Sequence, residues 1–228
     1  MRVLVAGATG AVGRRLVPKL VSAGHQVTAT TRSPDKLALL RNAGAQAVLL
    51  DGLDAVAVGE AVARAVERTV VCAALQGVVL RYGFLYGPGA GEDFVDAIRR
   101  RQVPVIGSGA GVWSFLHVDD AATATVAAVD RGAAGIYNVT DDDPAAAAQW
   151  LPEVARVIGA KPPRRIPVWL GRLAAGEAGV SLMTQIRGAS NAKARRELDW
   201  QPAWGSWRDG FARGLSDAAA SARPVAGR

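Results

Sequence analysis

Cysteine is almost absent: Cys72 is the single thiol in 228 residues. A lone cysteine closes no internal disulfide and brings no second sulfur to metal-ligand spacing. A disulfide scaffold and a structural zinc are therefore excluded, and the expectation is an intracellular, cytoplasmic protein with an inert, buried Cys72. Long apolar runs are also lacking. The longest, Thr69 to Tyr86, is interrupted by Gln76, Gly77 and Arg81, short of the roughly 20 residues that a membrane helix needs. The opening run from Met1 to Gly7 is too short for a secretion signal, so neither secretion nor a membrane partner is expected. Lysine is scarce, at Lys19, Lys36, Lys161 and Lys193, and the net charge of +7 rests on arginines, clustered only at Arg99–Arg101 and Arg195–Arg196. No aromatic residues interleave with the basic pairs as a single-strand groove requires, so nucleic acid is not expected as a partner.

Half of the residues are hydrophobic and 21% are charged, enough to bury a sizeable core. The first third alternates strand-like and helix-like segments. Arg2 to Ala6 is a short apolar run closed by glycine. From Ala11, the residues Val12, Leu16, Val17 and Leu20 recur at helical spacing, and Gly24 stands at the C-terminal end. Val27 to Thr31 is β-branched; Ser33-Pro34 offers a cap and first-turn proline for a helix ending near Gly44; Ala47 to Leu50 is a third strand; Leu53 to Val66 is a third helix. Such alternation predicts a doubly wound α/β fold with a parallel sheet. Further on, Val78 to Arg81 and Ile136 to Val139 read as strands. Asp93 to Arg101, a stretch capped by Asp119 or Asp120, and Pro144 to Ile158 read as helices. From Pro167 to Leu215 the chain is helical with turns. The expected layout is one domain over 1–215, in which about 84–118 and 140–215 form a small substrate portion, with 216–228 a flexible tail.

The loop Gly7-Ala8-Thr9-Gly10-Ala11-Val12-Gly13 spaces its glycines as G-x-x-G-x-x-G directly between a strand and a helix. Gly7 allows a tight turn, Gly10 lets the backbone approach a diphosphate, and Gly13 lets helix and strand pack closely. The helix N-terminus then offers free N–H groups and a favourable dipole to the anion. A nicotinamide dinucleotide is the expected cofactor. Where the second strand ends, Thr30-Thr31-Arg32-Ser33 lacks the acidic residue that would accept from a free 2′-hydroxyl. Arg32 offers charge to a 2′-phosphate instead, beside Ser33, so NADP(H) is favoured over NAD(H); the alternative is an exposed, solubilising arginine. Asp51 and Gly52, closing the third strand, stand either at the adenine or at the cap of the next helix.

These motifs, together with Val79-Leu80-Arg81-Tyr82-Gly83, Tyr86-Gly87-Pro88-Gly89, Phe115-Leu116-His117-Val118-Asp119-Asp120, Ile136-Tyr137-Asn138-Val139 and Asn191-Ala192-Lys193 through Leu198, Trp200 and Pro202, follow one another in order. The chain resembles the extended short-chain dehydrogenase/reductase family, the NAD-dependent epimerase/dehydratase group. The resemblance implies a Rossmann-type fold, NAD(P) as cofactor, and a small carbonyl, alcohol or sugar-nucleotide-like substrate. It places Tyr82, Tyr86, Trp113 and His117 as candidate substrate-side residues, with the remaining tryptophans expected as core anchors.

The middle departs from that family. The interval before the Arg-Tyr-Gly strand is too short for the family's fourth and fifth strands, although Val70 to Ala74 could be a remnant of the fourth. The residues four beyond Tyr82, Tyr86 and Tyr137 are Tyr86, Ala90 and Asp141, so no Tyr-x-x-x-Lys occurs. A tyrosine one helical turn from a lysine has its phenol pKa lowered into a useful range; without that pair no catalytic residue is assigned. The strand left unpaired invites a homodimer, or Val78 to Arg81 slides in beside the first strand. The expected function is an NAD(P)-binding oxidoreductase or epimerase with an incomplete centre; the alternatives are a non-catalytic NADP(H)-sensing regulatory protein and a decayed family member.

Overall fold

The computed structural model describes residues 2–5, 7–31, 33–49 and 77–213. Arg32, Asp51, Gly52, Cys72, the expected third helix, the Val70–Ala74 segment and the expected tail lie outside the described residues.

In chain order the elements are β1 (Arg2–Val5), α1 (Gly13–Ser22), β2 (Gln26–Thr31), α2 (Leu37–Asn42), β3 (Gln46–Leu49), β4 (Val78–Tyr82), β5 (Phe84–Tyr86), α3 (Glu92–Arg99), β6 (Val105–Ile106), β7 (Val112–Trp113) and β8 (Phe115–His117). There follow α4 (Val118–Arg131), β9 (Gly135–Val139), β10 (Ala145–Ala146), α5 (Ala147–Val157), β11 (Arg165–Ile166), α6 (Val168–Thr184) and α7 (Ala192–Glu197). They divide into two compact units: Met1–Arg81 with Val118–Val139 and Asn191–Gln201, and Tyr82–His117 with Thr140–Ser190 and Pro202–Arg228.

The first unit is a Rossmann-like α/β fold. β1, β2 and β3 pair in parallel in that spatial order, with Val3 opposite Val27 and Ala29 opposite Ala47. The helical spacing of Leu16, Val17 and Leu20 puts all three on the buried side of α1, where they meet Val5, Val27, Ala29 and Leu40. Full burial of each such side chain is worth about 1.5–3 kcal/mol. α4 turns alanines inward, Ala121, Ala122, Ala124, Ala127 and Ala128; small side chains let its backbone come close. Its first turn carries Asp119 and Asp120, so both stand inside the helix rather than capping it, where carboxylates favour the N-terminal dipole. Before α2 the chain makes a 3₁₀ turn, Pro34–Lys36, and the Ser33 side chain makes no capping bond. Among the described pairings β4 lies beside β9, whereas β1 pairs with β2. Among the described residues Val78–Arg81 does not pair with the first strand. The N–H of Gly135 donates to Gly77 O at 2.9 Å and ties β4 to β9 at its start.

The second unit is built on aromatic packing. β5 pairs in parallel with β8, β6 in parallel with β11, and β7 antiparallel with β10. Pairing with β7 takes Ala145 and Ala146 out of the expected helix, which therefore starts at Ala147. Phe115, Trp150 and Trp207 are fully buried, with Phe115 at 5.4 Å from Trp150 and 5.6 Å from Trp207, ring centre to ring centre. Trp200, in the first unit, is buried as expected of an anchor. Trp169, 63% exposed on α6, is not. That helix is interrupted at Gly176, whose φ of 68° and ψ of −178° are not helical.

Candidate functional site

The glycine loop is the site's first component. Gly7 has φ +67°, a conformation that a residue with a Cβ rarely adopts, and a Cβ built on it meets no atom within 4 Å. The turn is tight and its outer side is open. Ala8 is fully buried and its N–H donates to Thr30 O at 3.1 Å, which fixes the loop to β2. Gly10 N–H donates back to Gly7 O at 3.0 Å. A Cβ on Gly13 would lie 2.6–2.7 Å from the backbone O, C and Cα of Ala8, so α1 starts against the loop at a distance that only glycine allows.

Arg14 N–H makes a helical bond to Gly10 O at 3.0 Å. The amides of Ala11, Val12 and Gly13, one turn earlier, belong to the helix end whose N–H groups have no intrahelical acceptor. Arg15 clamps this end: its Nε donates to Asp119 Oδ1 at 2.6 Å and its Nη1 to Ala11 O at 3.0 Å. An open turn, a glycine-only close approach and a positive helix end together fit a dinucleotide diphosphate.

Beside the loop, Thr31 at the end of β2 is 4% exposed and its hydroxyl lies 3.3 Å from that of Thr9; Ser33 N–H donates to Thr31 Oγ1 at 3.2 Å. Thr9 and Ser33 are among the residues expected on the cofactor side; Thr31, which touches both, is not. A buried strand-end threonine has no sequence signature beyond its place next to Arg32. The Arg15–Asp119 pair, 104 residues apart, had none either.

Of the four candidate substrate-side residues, Tyr86, Trp113 and His117 are buried, and Tyr82 is 36% exposed. Strand pairing sets Tyr86 opposite His117, with ring centres 5.3 Å apart and edge to face; Trp204 stacks on His117 at 4.5 Å. Trp113 stands elsewhere in the same unit, its Nε1 donating to Leu182 O at 2.9 Å. The cavity bordered by Phe84, Tyr86, Phe94, Trp150 and Phe211 has a volume of about 10 Å³. That is about one water molecule's worth of space, too little for a substrate.

Tyr137 stands beside a lysine, with Lys193 Nζ 4.5 Å from the ring centre. It is not an activated phenol. Its hydroxyl donates to Ala133 O at 3.0 Å, and burial, then the charge of Glu197, push its pKa up from the usual value. Lys193 in turn donates to Ile136 O at 3.1 Å, and Trp200 Nε1 donates to Thr123 Oγ1 at 3.0 Å. The C-terminal signature thus holds β9 and α4 together. Among the described residues no group of three or more His, Cys, Asp or Glu side chains could hold a metal ion. No described helix is long and apolar enough to cross a membrane.

Comparison with known proteins bears on this geometry. A protein family described as NAD(P)H-binding matches residues 7–145, the glycine loop included. A 3-diazoavenalumate denitrifying reductase from a Streptomyces species is 51% identical over 151 residues, 64% of this chain and 50% of that protein. The match therefore spans about half of that relative's length. Among solved structures, a nucleoside-diphosphate-sugar epimerase from Pseudomonas aeruginosa superposes with a TM-score of 0.74 at 14% identity, over 97% of this chain and 98% of that one. The human epimerase family protein SDR39U1, solved with NADPH, gives 0.65 at 16% identity, over 95% and 100%. At these identities the likeness is one of fold.

Proposed function

The chain belongs to the NAD(P)H-binding family, and from that premise we propose that it is a reductase-type protein that prefers NADP(H) over NAD(H). The observation that carries the cofactor reading is the close approach of Gly13 to Ala8 beside the open turn at Gly7. The preference rests on sequence, the absence of an acid at Thr30-Thr31-Arg32-Ser33 and the charge of Arg32. A ligand that binds only the folded state raises the unfolding midpoint. NADPH at 100 times its Kd is expected to stabilise the protein by roughly 2.7 kcal/mol, with NADH at equal concentration giving less. Equal midpoints with and without either dinucleotide would sink the cofactor reading.

For the substrate, the reading is a small electrophile of the diazo class named for the Streptomyces relative. A bound reduced nicotinamide supplies a hydride. Reduction of a carbonyl leaves charge on an oxygen, and an acid must protonate it. Replacing a diazonium group by hydrogen takes up one hydride, breaks the carbon–nitrogen bond and releases dinitrogen, with no alkoxide to protonate. A chain without Tyr-x-x-x-Lys, with Tyr137 held neutral by burial and His117 buried between two rings, suits the second reaction. With 3-diazoavenalumate, NADPH absorbance is expected to fall with release of dinitrogen, and a panel of aldehydes and ketones to give no turnover. Turnover of the carbonyl panel alone would overturn this substrate reading. The same buried His117 and Tyr137 favour a second reading, a non-catalytic NADP(H) sensor. Tight NADPH binding with no turnover of either substrate class would establish it.

A further inference from the structure

We infer that Thr31 is a positioning residue that couples the two anion-binding parts of the cofactor site through a directed chain of hydrogen bonds. The inference rests on the NADP(H) reading above.

A main-chain N–H only donates, so in the bond at 3.2 Å the Thr31 oxygen is the acceptor of Ser33 N–H. The Thr31 hydroxyl proton needs its own acceptor, because the residue is 4% exposed and a buried hydroxyl without a partner is costly. The Thr9 oxygen, 3.3 Å away, is placed to take it. The chain then runs Ser33 N–H to Thr31 to Thr9, and it leaves the Thr9 hydroxyl proton for an acceptor beyond the chain. Linked bonds of one direction polarise and strengthen one another.

Each end of this chain stands in a part of the site with its own task. Thr9 lies in the diphosphate loop between Gly7 and Gly10, and Ser33 follows Arg32 where the ribose is read. The Ala8 N–H to Thr30 O bond at 3.1 Å makes a second tie one residue away, so the loop and the strand end are held as one body. A diphosphate oxygen accepting from Thr9 lengthens the chain by one bond in its existing direction. It thereby draws on Thr31 and firms the turn at Ser33. Thr31 touches no phosphate in this scheme; it sets the position and polarity of residues that do.

The test is equilibrium binding of NADPH and NADH to the full chain and to Thr31→Val, Thr31→Ser, Thr9→Val and the double variant Thr9→Val/Thr31→Val. Valine keeps the branched shape that suits a strand and removes only the hydroxyl. Thr31→Val is expected to weaken NADPH by up to roughly tenfold, the upper end for a single neutral hydrogen bond, and NADH less, so that the preference narrows. Thr9→Val is expected to weaken both dinucleotides alike. The double variant should lose less NADPH affinity than the product of the two single losses, because one chain broken twice is still one broken chain. Thr31→Ser, which keeps the hydroxyl, restores affinity and preference together. A role in folding alone would lower the midpoint of the free protein without this pattern across the two dinucleotides. Multiplying losses in the double variant, or an unchanged preference in Thr31→Val, would overturn the coupling. Should Thr31→Val not fold, Thr9→Val on its half-buried loop position and Thr31→Ser still test it: unchanged NADPH affinity in Thr9→Val sinks it. A native chain that binds neither dinucleotide removes the cofactor reading itself, an outcome distinct from native binding with indifferent variants.

Discussion

Gly13→Ala should lower NADPH affinity at least a hundredfold while removing about 1–3 kcal/mol of stability, the usual range for overpacking a tight contact. The new methyl group would meet the O, C and Cα of Ala8 at 2.6–2.7 Å. These are backbone atoms, and Ala8 cannot yield, being fully buried and tied to Thr30 O. α1 must therefore back away from the loop, taking with it the amides of Ala11, Val12 and Gly13. A binding site whose donors drift by more than about 0.5 Å loses its productive geometry, so a modest structural cost becomes a large functional one. Two other glycines make the comparison. Gly24, at φ +83° beyond the end of α1, has open space where a Cβ would go, so Gly24→Ala should cost stability through strain and leave cofactor affinity unchanged. Gly10→Ala, with its Cβ only 3.3 Å from Gly7 O, should fold and still bind more weakly. Thermal unfolding and fluorescence titration on the three variants separate these effects. Gly13→Ala binding NADPH within threefold of the native chain would refute the loop as the diphosphate site.

The glycine loop was legible in the sequence because its constraint falls on residue type: φ +67° at Gly7 and a contact under 3 Å at Gly13 admit almost nothing but glycine. α1 was legible because burial imposes a period, visible at Leu16, Val17 and Leu20, and β2 because it is rich in β-branched residues. The short strands of the second unit were not. β7 and β10 have two residues each and owe their existence to each other, since Ala145 and Ala146 pair with Trp113 and Val112 across some thirty residues of chain. Two residues carry no period, and so Ala145 and Ala146 read as the start of a helix. The Thr9–Thr31 contact and the Arg15–Asp119 pair were hidden for the same reason, being long-range and made of residue types that are ordinary anywhere. Trp169 misled in the opposite direction: tryptophan usually signals an anchor, and here it lies on an exposed face of α6.

The second large effect is expected in the pH dependence of stability and concerns Asp141, a residue without a motif around it. Its side chain is 2% exposed, and burial pushes its pKa up from 3.8 to about 7, against the opposing pull of hydrogen bonds from the backbone N–H groups of Asp143 and Trp207. The nearby Asp143 carboxylate adds to the rise. Around it Asp143 accepts from Ser206 at 2.7 Å and from Arg208 at 3.1 Å, and Asp142 N–H donates to Gly205 O at 3.0 Å, so residues 141–143 hold the segment that leads into the last described helical stretch, 207–213. Between pH 4 and 7 the folded chain keeps a proton on Asp141 that the unfolded chain has released. The folded state then binds more protons, and the unfolding free energy must fall as pH rises across that window. A rise of about three pKa units at about 1.4 kcal/mol each gives an upper bound near 4 kcal/mol. Carboxylates near the surface such as Glu153 and Glu197, whose pKa values are lowered by Arg156 and Arg196, act in the other direction, so the native curve alone is ambiguous. The informative quantity is the difference from Asp141→Asn, which stays neutral and keeps an acceptor for Asp143 N–H. In urea unfolding at pH 5 and pH 8 the native chain should lose up to about 3 kcal/mol more than the variant between the two conditions, two pH units at about 1.4 kcal/mol each. The variant should therefore gain on the native chain as pH rises. Parallel losses in both proteins would mean that Asp141 is charged in the folded state and that its hydrogen bonds, rather than its burial, set its protonation.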